Sequence, residues 1–151
     1  MDPALATWPA ISHGGVTPSP SNGDNEMSGN RYLLDTNAII LLLQGNQHLV
    51  ALLDQARWVG ISVISKLEFL AFTGLSFADR ELYAKFETRV DVVGVLADDR
   101  HLLDTIVAFR VSSGLKLPDA IIAASATSRG ACLITADQHF RSVASLEVEC
   151  I

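Results

Sequence analysis

The 151-residue sequence predicts an α/β fold of three layers, a central parallel sheet of four to five strands with helices on both faces. Two observations predict it. Short apolar runs of strand length alternate with longer stretches whose apolar residues recur at helical spacing. Gly, Pro and Asn punctuate the junctions between them. Hydrophobic residues make up 49% of the chain, enough for a core on each side of a sheet.

Residues 32–34 form a short apolar run that ends at Asp35 and reads as a buried strand. Residues 37–43 read as a helix stopped by Gly45, and 48–55 as a second short helix. Residues 58–63 read as the second strand. Residues 64–72 then show helical spacing, with Leu67, Leu70 and Ala71 on one face. A further amphipathic helix covers 77–88, and the valine-rich stretch 90–95 reads as the third strand. Residues 98–113 form a long helix closed by Gly114. The next helix, 118–128, has proline in its first turn and Gly130 after its end. Residues 131–135 read as the fourth strand and 146–150 as a fifth, at an edge. No internal repeat is visible.

Composition breaks near residue 27. Residues 1–26 hold four of the five prolines and no Lys or Arg, and are rich in Ser, Asn and Gly. This predicts a disordered tail over residues 1–28 and one domain over 29–151. It also raises the expectation of a start at Met27, the preceding residues being upstream read-through or sequence added for expression. Mass spectrometry of natively expressed protein tests this. The formal net charge of -6 argues against a simple electrostatic grip on nucleic acid. Residues 27–151 carry 11 basic and 14 acidic side chains, a net of -3, so much of the acidity lies outside the domain. Cys132 and Cys150 have no zinc-ligand spacing, and Cys132 sits in an apolar run. The apolar run 38–43 is far short of the ~20 residues a membrane helix needs. The N-terminus has no basic region, and Pro3 and Pro9 interrupt it, which is unlike a signal peptide. A cytoplasmic protein with no membrane association is expected.

Four acids stand where chemistry would be placed. Sites in parallel sheets form at the carboxyl ends of strands. Asp35 follows the first strand, Glu68 lies soon after the second and Asp137 follows the fourth. Asp119 opens a helix that can face the same edge. Each has an ordinary explanation. Asp35 can cap the helix that follows it. Glu68 lies three residues after Ser65, as in a capping box. Asp119 follows Pro118, where an acid suits the helix dipole. Asp137 can cap a short helix near Gln138. Together they supply the hard oxygen ligands that metal-assisted phosphodiester hydrolysis requires. Clustered acids repel one another, and a central cation would explain their tolerance.

The stretches that carry these acids resemble a known family. Tyr32-Leu-Leu-Asp35-Thr36-Asn37-Ala-Ile-Ile looks like the opening motif of PIN-domain nucleases. Ile61-Ser-Val-Ile-Ser-Lys66-Leu-Glu68-Phe-Leu resembles their second motif. Leu115-Lys-Leu-Pro118-Asp119-Ala-Ile-Ile-Ala-Ala resembles the third, and Leu133-Ile-Thr135-Ala-Asp137-Gln-His-Phe140 the fourth. Order and spacing agree over nearly all of residues 31–151. The compact length is similar to the VapC-like toxins of bacterial toxin–antitoxin pairs.

The resemblance implies a PIN-like fold and an endoribonuclease that uses Mg2+ or Mn2+. It implies Asp35, Glu68, Asp119 and Asp137 as metal-binding and catalytic residues. Thr36, Asn37 and Thr135 would position ligands or water. It further implies RNA as substrate, a homodimer, and a cognate antitoxin whose tail occupies the active groove. On this reading Asp35, Glu68 and Asp119 hold one cation, with Asp137 completing that site or helping a second. The products would carry 3′-hydroxyl and 5′-phosphate ends. The fourth motif often reads Thr-Asn-Asp-x-Asp-Phe; here Ala136 replaces the Asn and His139 the second Asp. His139 then reads either as a metal or phosphate ligand or as a partly exposed polar residue.

Among basic residues, Lys116 is the foremost candidate for RNA contact, ahead of Lys66, Arg110, Arg129 and Arg141. Asp98 and Asp99 read as helix-start acids, and His48 and His101 as surface positions. Trp58 and the Phe69–Phe72 pair read as core or dimer contacts. Two other functions compete. A non-catalytic PIN-like module would bind RNA or protein without turnover. A small-molecule phosphatase would commonly use Asp-x-Asp, and Asp35-Thr36-Asn37 lacks the second Asp.

Overall fold

The computed structural model describes residues 30–151. The tail expected over residues 1–28, and the expected start at Met27, lie outside the described residues. Five strands form one sheet: β1 (Arg31–Leu34), β2 (Trp58–Ser62), β3 (Asp91–Val93), β4 (Cys132–Thr135) and β5 (Val148–Cys150). All pairings are parallel, in the order β3-β2-β1-β4-β5. Among the described residues six α-helices accompany it. They are α1 (Thr36–Leu43), α2 (Gln47–Asp54), α3 (Val63–Leu70), α4 (Phe77–Glu87), α5 (Arg100–Ser113) and α6 (Leu117–Ser128). A short 3₁₀ helix follows at Gln138–Ser142. The expected α/β architecture is therefore present.

β1 shows how three layers arise. Successive strand side chains point to opposite faces. Tyr32 and Leu34 enter one core and Leu33 the other. The first core takes Ile39 and Leu42 from α1, Leu49 and Leu53 from α2, and Tyr83 and Phe86 from α4. The second takes Leu102, Ile106 and Phe109 from α5 and Ile122 and Ala123 from α6. Burial on both faces explains why the strands read as continuous apolar runs rather than alternating ones.

Element ends follow local chemistry. Gly45 and Gly114 both take positive φ, 86° and 65°, and close α1 and α5 where a side chain would be strained. Asp99 caps α5 by accepting from the Leu102 N–H, the role expected of a helix-start acid. Ser76 and Asp79 form a reciprocal capping box at the start of α4.

The region after β2 departs from expectation. The strand ends at Ser62 rather than at residue 63, because Ser62 turns to cap α3 and accepts from the Ile64 N–H. Ser65 is then inside the helix, and the capping-box reading of Glu68 does not hold. The face is also different: Ser65 and Phe69 are buried, whereas Leu67 is 56% exposed and Ala71 lies beyond the helix. β3 and β5 are three residues each, shorter than the apolar runs that suggested them, since each is an edge strand with one neighbour.

The strand order locates the site. From β1 the chain lays β2 and β3 outward on one side, then returns to place β4 and β5 on the other. Neighbouring crossovers thus diverge between β1 and β4. The crevice outside their carboxyl ends is the topological switch point where open α/β sheets bind ligands. Among the described residues no helix is long and apolar enough to cross a membrane.

Candidate metal centre

Asp35 stands at that crevice, one residue beyond β1 and only 7% exposed. Its backbone N–H donates to Ile134 O at 3.0 Å, which extends the β1–β4 pairing to the acid itself. Both carboxylate oxygens are fixed. Oδ1 accepts from the Thr36 N–H at 2.7 Å, so Asp35 does cap α1. Oδ2 accepts from the Thr135 hydroxyl, across β4, at 2.8 Å. Capping consumes one side of the group and leaves lone pairs on both oxygens.

Glu68 approaches from α3, which packs against both α1 and α6. The Thr36 hydroxyl donates to Glu68 Oε1 at 3.1 Å, tying the acid after β2 to the residue after Asp35. Asp137 lies two residues past β4. Its N–H donates to Thr135 Oγ1 at 3.0 Å, and its Oδ1 caps the 3₁₀ helix by accepting from the His139 N–H at 2.9 Å. Asn37 Oδ1 accepts from the Ala136 N–H at 2.9 Å and clamps the β4 loop onto α1. Asp119 is half-buried in the first turn of α6, whose N-cap Lys116 makes no side-chain cap bond. The α6 dipole therefore acts on Asp119 without a competing cap.

Electrostatics connect all four acids. Burial raises the Asp35 carboxyl above its ordinary value, two hydrogen bonds oppose this, and the charges of Glu68 and Asp119 raise it further. Burial also raises Asp119, and Asp137 adds to it, against Lys116 and His139. Asp137 itself is lowered, chiefly by the backbone bond from His139. Among the described residues, however, no three Asp, Glu, His or Cys side chains converge closely enough to hold an ion as they stand. Glu68 accepts instead from the Thr36 hydroxyl, and Asp137 faces the His139 ring.

The donor set suits a hard divalent cation. It consists of carboxylates whose mutual repulsion such an ion would relieve, held on separate elements at one sheet edge. Other basic candidates are largely engaged elsewhere. Lys66 pairs with Glu87, Arg110 donates to Leu115 O at 2.7 Å, and Arg141 donates to Cys150 Sγ at 3.0 Å. Lys116 is exposed and interacts electrostatically with Asp119, so it stands at the site's rim. His48 and His101 are exposed. Trp58 Nε1 donates to Asp91 and its ring packs on the second core, a structural role.

One feature escaped the sequence. A cleft of about 320 Å³ opens beside the acids, with Thr36 and Glu68 on its inner edge. Ile40, Leu43, Phe69, Phe72, Leu75 and Leu82 line it. Phe69 is core as expected, but Phe72 is 63% exposed on the cleft wall. The run Phe-Thr-Gly-Leu-Ser after α3 was the available signal, since it ends the helix and leaves its aromatic on a turn.

Comparison with known proteins adds to this picture. The family model for the PIN domain matches residues 32–146. Among solved structures, VapBC2 from Rickettsia felis, bound to a DNA fragment from its promoter, aligns with a TM-score of 0.66 and 19% identity. That alignment covers 80% of this chain and 98% of the other. A toxin–antitoxin complex from Klebsiella pneumoniae gives 0.61 and 26% identity, over 76% of this chain and 94% of the other. VapBC-1 from nontypeable Haemophilus influenzae gives 0.61 and 24% identity, over 80% and 97%. No curated protein matches the chain.

Proposed function

The chain belongs to the PIN-domain family, and from that premise we propose that it is a metal-dependent endoribonuclease, the toxin of a toxin–antitoxin pair. One observation carries the chemical part. Asp35 is a buried carboxyl whose charge is opposed by both Glu68 and Asp119, an arrangement that a divalent cation stabilises. Mg2+ or Mn2+ held by Asp35, Glu68, Asp119 and Asp137 would offset phosphate charge and acidify a water for attack on phosphorus.

The chain's own residues prepare that site. Thr135 Oγ1–H and the Thr36 N–H hold the Asp35 carboxylate in one orientation. The Thr36 hydroxyl holds Glu68 on the same side. Asn37 fixes the loop that carries Asp137. Lys116, on the rim, contacts a phosphate of the RNA strand. Such pre-set geometry lowers the reorganisation needed at the moment of reaction.

The toxin reading draws on the toxin–antitoxin complexes among the structural relatives. A cognate antitoxin and a homodimer follow from it, in the cytoplasm. The apolar cleft bordering Thr36 and Glu68 supports an antitoxin tail lying beside the acids.

The test is direct. Purified protein with Mg2+ or Mn2+ should cut RNA and leave 3′-hydroxyl and 5′-phosphate ends. EDTA, Asp35→Asn or Asp119→Asn should remove cleavage by a factor of about 10² or more. Cleavage that survives EDTA and both substitutions would sink the proposal. RNA binding without turnover in any divalent ion would favour the non-catalytic module. Ends bearing 2′,3′-cyclic phosphate would mean that the RNA supplies its own nucleophile.

A further inference from the structure

We propose that the amino edge of the sheet, opposite the four acids, is a second contact for RNA, where arginines at the starts of adjacent strands hold backbone phosphates. This rests on the RNA reading above and extends it from the place of cleavage to the place of grip.

All five strands are parallel, so all begin at one edge. Arg31 is the first residue of β1, and Arg57 immediately precedes β2. Arg89 stands two residues before β3 and Arg129 three residues before β4. The strand order therefore sets these arginines in a row, Arg89, Arg57, Arg31, Arg129. Neighbouring strands lie about 4.8 Å apart, which makes the row about 14 Å long. Four of the 11 basic residues thus share one edge of a chain that is acidic overall.

The middle of the row is held in place. Arg31 Nε donates to Arg129 O at 2.8 Å, and the guanidinium carbon lies 4.8 Å from the Trp58 ring centre. Trp58 is fixed in turn by its Nε1–H, which donates to Asp91 at 2.7 Å. The Arg57 N–H donates to Asn30 O at 2.7 Å, which sets its backbone beside Arg31. The side chains of Arg57 and Arg129 are exposed. The charges also feel one another. After burial, Arg129 and Arg57 lower the Arg31 guanidinium from its ordinary value, and Asp91 acts against them. Like charge gathered in this way is relieved by a bound anion.

Helix ends account for part of the pattern. α2, α4 and α6 end shortly before Arg57, Arg89 and Arg129, where a cation suits the dipole. Arg31 begins a strand and has no such reason. Arg129 O takes one of its five N–H donors, and a guanidinium stacked on an aromatic face is preset for a phosphate. Single charges repeated from strand to strand suit a polymer charged at every unit, as a nucleic-acid backbone is. The carboxyl edge is poorly suited to that grip, having four carboxylates with Lys116 at their rim.

Binding of a single-stranded RNA long enough to pass both edges, measured in EDTA across a range of salt, gives the readout. Arg57→Gln with Arg129→Gln should weaken binding and flatten the dependence of log K on log salt by about 1.4, which is about 0.7 per lost contact. Arg57→Lys with Arg129→Lys should keep the slope, and Arg80→Gln, at an exposed arginine of α4, should leave it unchanged. An unchanged slope in the double glutamine variant, an equal change in Arg80→Gln, or loss of slope in the lysine pair overturns the second contact alone. So does loss of polyglutamate binding in the glutamine pair with RNA affinity kept, which would assign the edge to an acidic protein segment. Absence of RNA binding by the native protein in both EDTA and Mg2+ overturns the RNA reading and this proposal with it.

Discussion

At the scale of single residues, Asp35 is a buried acid that sits beside two other acids. Its folded-state pKa is raised, first by burial and then by Glu68 and Asp119. The folded protein therefore binds that proton more tightly than the unfolded chain. The stability from this group is fully present below the unfolded value, about 3.9, and is lost as pH rises through the raised value. Asp119 acts in the same direction and Asp137, which is lowered, in the opposite one. Thermal melts in EDTA should thus show a loss of stability above pH 4 in the native protein that is smaller in Asp35→Asn. Mg2+ should raise the melting temperature of the native protein at pH 7 and not that of the variant. An identical pH slope in both would remove Asp35 as its source. The four acids themselves were legible in the sequence because each sits in a short, ordered motif. Their partners were not. Thr135 reaches Asp35 across 100 positions and Thr36 reaches Glu68 across 32, and nothing local encodes such bonds.

At the scale of elements, strand and helix identities were readable because both-face burial writes long apolar runs and glycines close the helices. Boundaries were less so where one residue serves two elements. Ser62 ends β2 and caps α3 at once, so no loop separates strand from helix. On the metal-centre reading, that cap sets the rotation of α3 and with it where Glu68 emerges. Ser62→Ala should cost about 1 kcal/mol of stability, the usual value of a lost N-cap. It should also weaken Mg2+ binding while leaving Asp35 and its two hydrogen bonds in place. Chemical denaturation and calorimetric titration measure the two effects. A stability loss with unchanged Mg2+ affinity would show that the start of α3 does not set the position of Glu68. The misread face of this helix has the same origin. Leu67 and Leu70 suggested an apolar stripe, but the cap at Ser62 turns Ser65 and Phe69 inward.

At the scale of the whole molecule, the strand order explains why acids so far apart in the chain come to one edge of the sheet. Asp35 and Asp137 flank the divergence between β1 and β4, while α3 and α6 bring Glu68 and Asp119 to the same edge. The α/β class and the site edge followed from element alternation alone. The cleft did not, because it is built jointly by α1, the end of α3 and α4, and no single segment displays it. Its wall carries Phe72, a large aromatic that is mostly exposed yet lies beside Glu68's helix. On the toxin reading, that exposure is tolerated because an antitoxin covers it. Phe72→Ala should therefore leave folding stability within about 0.5 kcal/mol, as for a surface substitution. It should loosen antitoxin binding by about tenfold or more, as loss of an aromatic anchor does at a protein interface. RNA cleavage by the free protein should persist, since Phe72 carries no group that could hold a cation or a phosphate. Titration of the variant with the cognate antitoxin that the toxin reading requires measures the affinity. Unchanged binding would mean that the antitoxin reaches the acids by another surface, and the cleft would lose its assigned occupant.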